Sequence, residues 1–122
     1  MDIMISVKKK EYYLFDKSLS TGKFKYCHKY YEPSLNLLFY DCLRNLKQLK
    51  AGDHIYFYIH NSLRFFAIVN SIQLMIIPPN SIRIYFKAIQ ENKEWKHERF
   101  NQPCMKNFKG EKYISIDEKQ KG

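Results

Sequence analysis

The feature that most constrains the fold is a sharp turn followed by a strand with two unlike faces. Gly52 and Asp53 close the turn, and residues 54–60 then read His-Ile-Tyr-Phe-Tyr-Ile-His. Successive side chains of a strand point to opposite faces. One face therefore carries Ile55, Phe57 and Ile59, which predicts a side turned to the core. The other carries His54, Tyr56, Tyr58 and His60, which predicts either a pocket wall or a second aromatic layer.

The segment before this turn has the period of an amphipathic helix. Ser34 follows Pro33 and belongs to the residue types that cap helices. Apolar residues then recur at spacings of three and four, at Leu35, Leu38, Phe39, Cys42, Leu43, Leu46 and Leu49. The pattern predicts one main helix over about residues 34–49.

Further segments have strand character, with β-branched and aromatic residues between turn signals. They are residues 12–15, 64–74, 82–88 and 113–116. Together with the two-faced strand they predict a small curved sheet of about five strands, a pseudo-barrel, beside the helix. We therefore expect an α+β fold and a single domain over residues 1–122, with its core in about residues 11–116.

The chain is basic, with a formal net charge of +9. Residues 1–50 hold ten basic and five acidic residues, so the excess lies mainly there. A basic surface attracts polyanions through counterion release, and nucleic acid is the commonest such partner. The charge alone thus favours a nucleic-acid partner without identifying one.

Cysteine usage and hydropathy bear on the compartment. The three cysteines, Cys27, Cys42 and Cys104, are odd in number and include no C-x-x-C pair. This favours reduced thiols and an intracellular protein. No run approaches the ~18–20 apolar residues that span a bilayer. We expect the cytoplasm, or the nucleus in a eukaryote, and no membrane partner.

Several segments resemble the PUA-like superfamily, in particular its EVE and YTH domains. Residues 12–15, Tyr-Tyr-Leu-Phe, are similar to the Tyr-Trp-Leu-Phe start of EVE domains. Residues 45–53, Asn-Leu-Lys-Gln-Leu-Lys-Ala-Gly-Asp, are similar to their Asn-Leu-Arg-x-Met-Lys-x-Gly-Asp. Residues 55–58 resemble the aromatic strand that follows. Tyr13 stands where the family has Trp, and the return strand has Phe66 and Ala67 near the family's Gly.

The resemblance implies a module that binds nucleic acid, DNA or RNA, through one flipped or single-stranded base, modified or unmodified, in an aromatic pocket. Stacking such a base on a ring contributes ~1–3 kcal/mol. The pocket candidates are Tyr26, Tyr31, Tyr58, His60 and Trp95, with the Asn45 amide as a reader of the base edge. The candidates for backbone contacts are Lys23, Lys25, Lys29, Lys47 and Lys50, three of which alternate with rings between residues 23 and 31.

Two alternatives stay open. The chain could be a protein-interaction or accessory protein of an AT-rich microbe or a virus, with a charge that is merely compositional. It could also be a hydrolase of the related ASCH type, which would need a Lys and an acid in the pocket. The sequence has no glycine-rich phosphate loop, no nucleophile elbow and no metal-ligand spacing. We therefore predict binding without catalysis, metal or cofactor, and leave a protein partner open.

Overall fold

The computed structural model describes residues 1–15, 30–59, 62–91 and 110–114, and this part of the chain is built mainly from β-strands. In chain order the strands are β1 (Ile3–Ser6), β2 (Tyr31–Glu32), β3 (Leu37–Cys42), β4 (His54–Ile59), β5 (Ser62–Met75), β6 (Ser81–Phe86), β7 (Gln90–Glu91) and β8 (Glu111–Tyr113). Within the described residues the one helical element is a 3₁₀ helix, Lys9–Phe15, after β1.

The strands form a mixed sheet in the order β2-β3-β6-β5-β4-β1-β8, with β7 also beside β5. β1 runs parallel to β4, and the other neighbouring pairs are antiparallel. β5 pairs with β4 through residues 62–68 and with β6 through residues 69–75. A register shift between Val69 and Ser71 marks the change of partner. Such a bulge bends a strand, so β5 divides the sheet into two halves.

The inward faces of the two halves share one core. β1 and β4 contribute Ile3, Ile5, Ile55, Phe57 and Ile59, and β3 and β6 contribute Leu38, Cys42, Ile82, Ile84 and Phe86. The alternation in residues 54–60 therefore predicted the core-facing side of β4 correctly. Burial of these side chains is the main favourable term that holds the two halves together.

Side-chain hydrogen bonds link the two ends of the strand order. The Tyr40 hydroxyl on β3 donates to Glu111 Oε1 on β8 over 2.8 Å. Arg44 Nη2 donates to the Glu111 carbonyl oxygen, and the Gln48 amide donates to the Tyr113 hydroxyl over 3.0 Å. Side chains therefore link the two ends of the strand order, although β3 and β8 share no backbone ladder. In the part of the chain that the structure describes, the sheet is open and has eight strands, so the predicted pseudo-barrel of about five strands is wrong.

The predicted α+β fold with a main helix over residues 34–49 is wrong. Residues 33–36 form a turn, Leu37–Cys42 is β3, and residues 43–52 consist of bends, turns and irregular chain. A helix would have had to bury Leu35 and Leu43, which are 52 % and 74 % exposed. Leu38 and Cys42 are four residues apart, a spacing that places two side chains on one face of a helix and equally on one face of a strand. Pairing with β6 satisfies the backbone of this segment, so the sheet overrides the helical pattern.

The predicted first strand at residues 12–15 is also absent, since these residues belong to the 3₁₀ helix. The first strand lies earlier, at Ile3–Ser6, between β4 and β8. Ile3, Met4 and Ile5 are all at most 1 % exposed because both faces of this strand are covered. An apolar run without alternation is typical of such a strand. β4, β5 and β6 do occupy the segments predicted for them.

Candidate functional site

A cavity of about 200 Å³ opens where β1 leads into the 3₁₀ helix. A cavity of about 150 Å³ accommodates benzene, whereas pockets for drug-sized ligands begin at about 300 Å³. The space therefore suits one planar ring system. Six of the described residues that line it are aromatic: Phe15, Tyr30, Phe39, Tyr40, Phe57 and Phe86.

The inner part of the cavity consists of packed phenyl rings. Phe57 on β4 lies 5.1 Å from Phe15 and 6.0 Å from Phe86, measured between ring centroids. All three are buried, because Phe57 and Phe86 point inward from their strands and Phe15 ends the helix above them. Ile5, Val7 and Ile89 add aliphatic surface. A ligand in this part would meet apolar atoms on several sides.

The mouth of the cavity is polar and basic. Lys8 and Glu11 line it, and they stand on the segment that connects β1 with the helix. The Glu11 amide donates to the Lys8 carbonyl oxygen over 2.9 Å, which fixes this turn. Lys9 and Lys10 are exposed, as Lys8 is. Lys8 lines the cavity, the exposed Lys9 and Lys10 follow it in the sequence, and we call Lys8–Lys10 the basic rim.

Tyr40 is a fixed part of the wall. Burial, and then the Glu111 carboxylate that accepts its hydrogen bond, raise the pKa of the Tyr40 hydroxyl far above its usual value. The hydroxyl therefore stays protonated and committed to Glu111, so Tyr40 offers its ring to the cavity.

The carboxylate of Asp41 is already paired. Arg83 Nε and Nη2 donate to its two oxygens over 2.6 and 2.9 Å. The same guanidinium lies 4.2 Å from the centroid of the Phe39 ring. This hydrogen bonding raises the pKa of Arg83 further, so the guanidinium stays charged. Of the two acids that line the cavity, Asp41 is thus held by Arg83.

The other face of β4 forms an aromatic layer. The rings of His54 and Tyr56 are stacked with centroids 5.9 Å apart, and Phe66 lies 5.6 Å from His54. Tyr56 is only 6 % exposed and packs with Met4, Leu63 and Ile114. Of the two interpretations of this face, the structure favours the second aromatic layer. Tyr58 is half-buried against the same cluster and is not among the described residues that line the cavity.

The described candidates from the sequence do not meet in one place. Tyr31 packs against the core and donates from its hydroxyl to Asn36 Oδ1 over 2.7 Å. Asn45, Lys47 and Lys50 are exposed in the segment before β4. That segment contacts the chain where β1 begins, as the bond from the Gln48 amide to Tyr113 shows, because Tyr113 pairs with Ile3. The cavity lies at the other end of β1.

The remaining candidates lie outside the described residues. They are Tyr26, His60, Trp95, Lys23, Lys25 and Lys29. Their predicted roles stay predictions.

Several cavity residues escaped the sequence analysis. The sequence patterns assigned no individual role to Lys8, Glu11 or Tyr30. Phe15 was assigned to a strand, and Tyr40 to the helix. One signal in the sequence could have indicated the site. The apolar run Ile3-Met4-Ile5 is typical of a buried strand, and the three lysines that soon follow it indicate a basic turn at the end of that strand.

No group of three or more potential metal ligands occurs among the residues that the structure describes. None of the helices in that part is long and apolar enough to cross a membrane. In comparisons with known proteins, no family model, curated protein or solved structure matches the chain.

Proposed function

We propose that the chain binds nucleic acid and holds one base in the ring-lined cavity while the basic rim contacts the phosphates. The observation that carries this proposal is a cavity of single-ring size, about 200 Å³, with six aromatic residues and Lys8 in its lining. Aromatic platforms beside a basic surface are the means by which proteins bind single-stranded nucleic acid. The resemblance to EVE and YTH domains points in the same direction and remains a prediction.

The interior suits the faces of a base. A base inserted among Phe15, Phe57 and Tyr40 exchanges contact with water for contact with rings, and stacking contributes ~1–3 kcal/mol. The aliphatic side chains of Val7 and Ile89 would also accept a methyl group on the base. The cavity thus supports a modified base as well as an ordinary one.

The edge of the base would meet Glu11. Carboxylates accept hydrogen bonds from the exocyclic amino groups of bases, as they do from N4 of cytosine. A base that carries an amino group should therefore bind better than uracil or thymine. Asp41 contributes less, because Arg83 occupies both of its oxygens.

The test is a titration of short fluorescent DNA and RNA strands at several salt concentrations. Tyr30→Ala removes a ring from the cavity lining, and Tyr31→Ala removes its neighbour, which also packs against the core. We expect Tyr30→Ala to weaken binding about 10-fold or more, in line with one lost stacking partner. Tyr31→Ala should bind within about twofold of the parent chain, because its ring does not contribute to the cavity.

The backbone contacts are tested by charge removal. Lys8→Gln should weaken binding to all sequences alike and reduce the salt dependence by about one unit of slope. Lys50→Gln removes the same charge at the other end of β1 and serves as the control. Equal effects of both lysine variants, together with no effect of Tyr30→Ala, would leave only a basic surface and would overturn the proposal.

One observation favours the hydrolase alternative, since Lys8 and Glu11 line the same cavity. Lys8 is exposed, and its ammonium there remains hydrated, which favours a contact with phosphate over a catalytic role. Incubation of the chain with oligonucleotides and nucleosides, followed by mass spectrometry, separates the alternatives. Unchanged substrates support binding alone, and a product that Glu11→Gln abolishes would establish catalysis.

A further inference from the structure

β5 extends well beyond its neighbour β4. The last contacts on that side are the bond from the Gly52 amide to the Val69 carbonyl oxygen, 2.8 Å, and the bond from the Val69 amide to the Asp53 carbonyl oxygen, 2.9 Å. Beyond Val69, β5 pairs with β6 on one edge through residues 71–75, and Asn70 is the extra residue at the register shift. On its other edge, none of the described strands pairs with it. The six residues 70–75, at about 3.4 Å each, give roughly 20 Å of edge that no described strand covers.

The hairpin that carries this open edge is uncharged and apolar at its tip. No charged residue occurs between Arg64 and Arg83. Leu74, Ile76 and Ile77 are 64 %, 85 % and 84 % exposed. Natural proteins usually protect an exposed edge with charges, in particular lysine. A long edge without such protection is suited to pairing with another strand.

We propose that this edge pairs with the same edge of a second copy of the chain, antiparallel and about a two-fold axis. The proposal is independent of the nucleic-acid function. Edge pairing of this kind gains affinity from main-chain hydrogen bonds and from the side chains that flank them. A two-fold interface uses the same patch on both copies, so the patch must be complementary to itself.

Charge is the first reason for a second copy. The chain carries a net charge of +9, so most pairs of faces on two copies repel each other. Residues 70–75 read Asn-Ser-Ile-Gln-Leu-Met and contribute no charge to such a contact. Like charges directly opposite each other would destabilise a strand pair, and this segment has none.

The positions of the exposed apolar residues are the second reason. In an antiparallel pair centred between Ile72 and Gln73, residues 70–75 of the two copies lie opposite each other, and Leu74 lies opposite Ser71 of the partner subunit. Leu74 is 64 % exposed, so the pairing would cover apolar surface at both ends of the ladder.

The same features disfavour other occupants. An apolar wedge for DNA or an anchor for anionic lipid is normally accompanied by Lys or Arg that hold phosphates. The hairpin has none between Arg64 and Arg83, and Arg83 itself is paired with Asp41. The basic rim lies on the segment after β1 and not on the hairpin.

The test is sedimentation velocity of the full chain from micromolar to near-millimolar concentration. We expect a reversible monomer–dimer equilibrium. Ile77→Lys places a charge at the tip, where the side chain is almost fully exposed and the fold is not at risk. It should raise the dimer dissociation constant at least about tenfold. Leu35→Lys makes the same change on an exposed leucine in the β2–β3 turn and should leave the equilibrium unaltered.

Hydrogen exchange locates the interface. Protection of the amides in residues 70–75 should increase with protein concentration in the parent chain and should not increase in Ile77→Lys. A chain that stays monomeric at all concentrations would overturn the proposal, as would a dimer that Ile77→Lys and Leu35→Lys weaken equally. Binding of the monomer to neutral phosphatidylcholine vesicles, lost in Ile77→Lys, would assign the hairpin to lipid instead.

Discussion

Tyr40 and Glu111 join strands that lie far apart in the order of the sheet. The Tyr40 hydroxyl on β3 donates to Glu111 Oε1 on β8 over 2.8 Å, across 71 residues of sequence. β3 is next to last at one end of the order and β8 is last at the other. The bond therefore draws the two ends of the sheet together beside the cavity. It also positions one ring of the cavity lining.

Removal of the Tyr40 hydroxyl should weaken the link between the two ends of the sheet but leave the aromatic ring in place. We expect Tyr40→Phe to lower the free energy of unfolding by ~1–2 kcal/mol, since the partner is a carboxylate. Urea denaturation measures the change. Tyr31→Phe is the control, because that hydroxyl bonds only to the nearby Asn36 at the surface. If both variants lose the same free energy of unfolding, the bond between Tyr40 and Glu111 contributes no more to stability than a surface hydrogen bond.

Alkaline pH should destabilise the fold through its buried tyrosines. Burial, and then the Asp2 carboxylate, raise the pKa of Tyr56 to about 12 from an ordinary value of 10.0. The folded chain thus retains this proton while the unfolded chain loses it. Stability is complete below pH 10.0 and declines as the pH rises towards about 12, by at most about 1.4 kcal/mol per pH unit for this group.

Denaturation midpoints between about pH 8 and about pH 11 test this prediction. The stability of Tyr56→Phe should decline less steeply with pH than that of the parent chain. The pKa of Tyr40 is also raised, so Tyr40 should cause part of the decline that remains in this variant. A parent chain with constant stability over this range would contradict it.

Gly52 should resist substitution because of its backbone and not because of crowding. Its φ is +93°, and a Cβ placed there would meet nothing within 4 Å. We expect Gly52→Ala to cost ~1–2 kcal/mol of unfolding free energy, the usual penalty of the left-handed region. Asn80→Gly is the control, because Asn80 already has a φ of 63° and glycine adopts it without strain. A neutral Gly52→Ala variant would indicate that this turn changes its conformation.

Glu11 should determine which base the cavity prefers. Glu11→Gln keeps the size of the side chain and adds an amide donor. The preference for bases with an amino group over uracil or thymine should therefore fall by about 5-fold or more, equivalent to ~1 kcal/mol at least. Competition between short homopolymers measures the ratio. An unchanged ratio in a variant that still binds would remove Glu11 from base recognition.

The sequence predicted the parts of the sheet in which one physical pattern prevails. β4 alternates cleanly, β5 contains the apolar run of residues 65–69, and both lie in the predicted segments. The turn at Gly52 was correctly identified because its positive φ favours glycine. These patterns depend on neighbours in the sequence, so they can be recognised without knowledge of the tertiary contacts.

Residues 34–49 show the opposite case. Their apolar spacing fits a helix, but residues 38–42 form a ladder with β6 that no local pattern indicates. The cavity was missed for the same reason, since Lys8, Tyr30 and Tyr40 come from three segments that only the folded sheet brings together. Sequence patterns therefore identified basic and aromatic character but not the residues that combine them in one site.

Nuclear magnetic resonance of the isotopically labelled chain with a short single-stranded oligonucleotide tests the central claim most directly. We predict saturable shifts in the amides of Ser6, Lys8 and Glu11 and in the methyl groups of Val7 and Ile89, with Overhauser contacts from base protons to those methyls. Saturable shifts confined to residues 43–50, with the Val7 and Ile89 methyls unmoved, would contradict the account and assign nucleic-acid binding to the other end of β1.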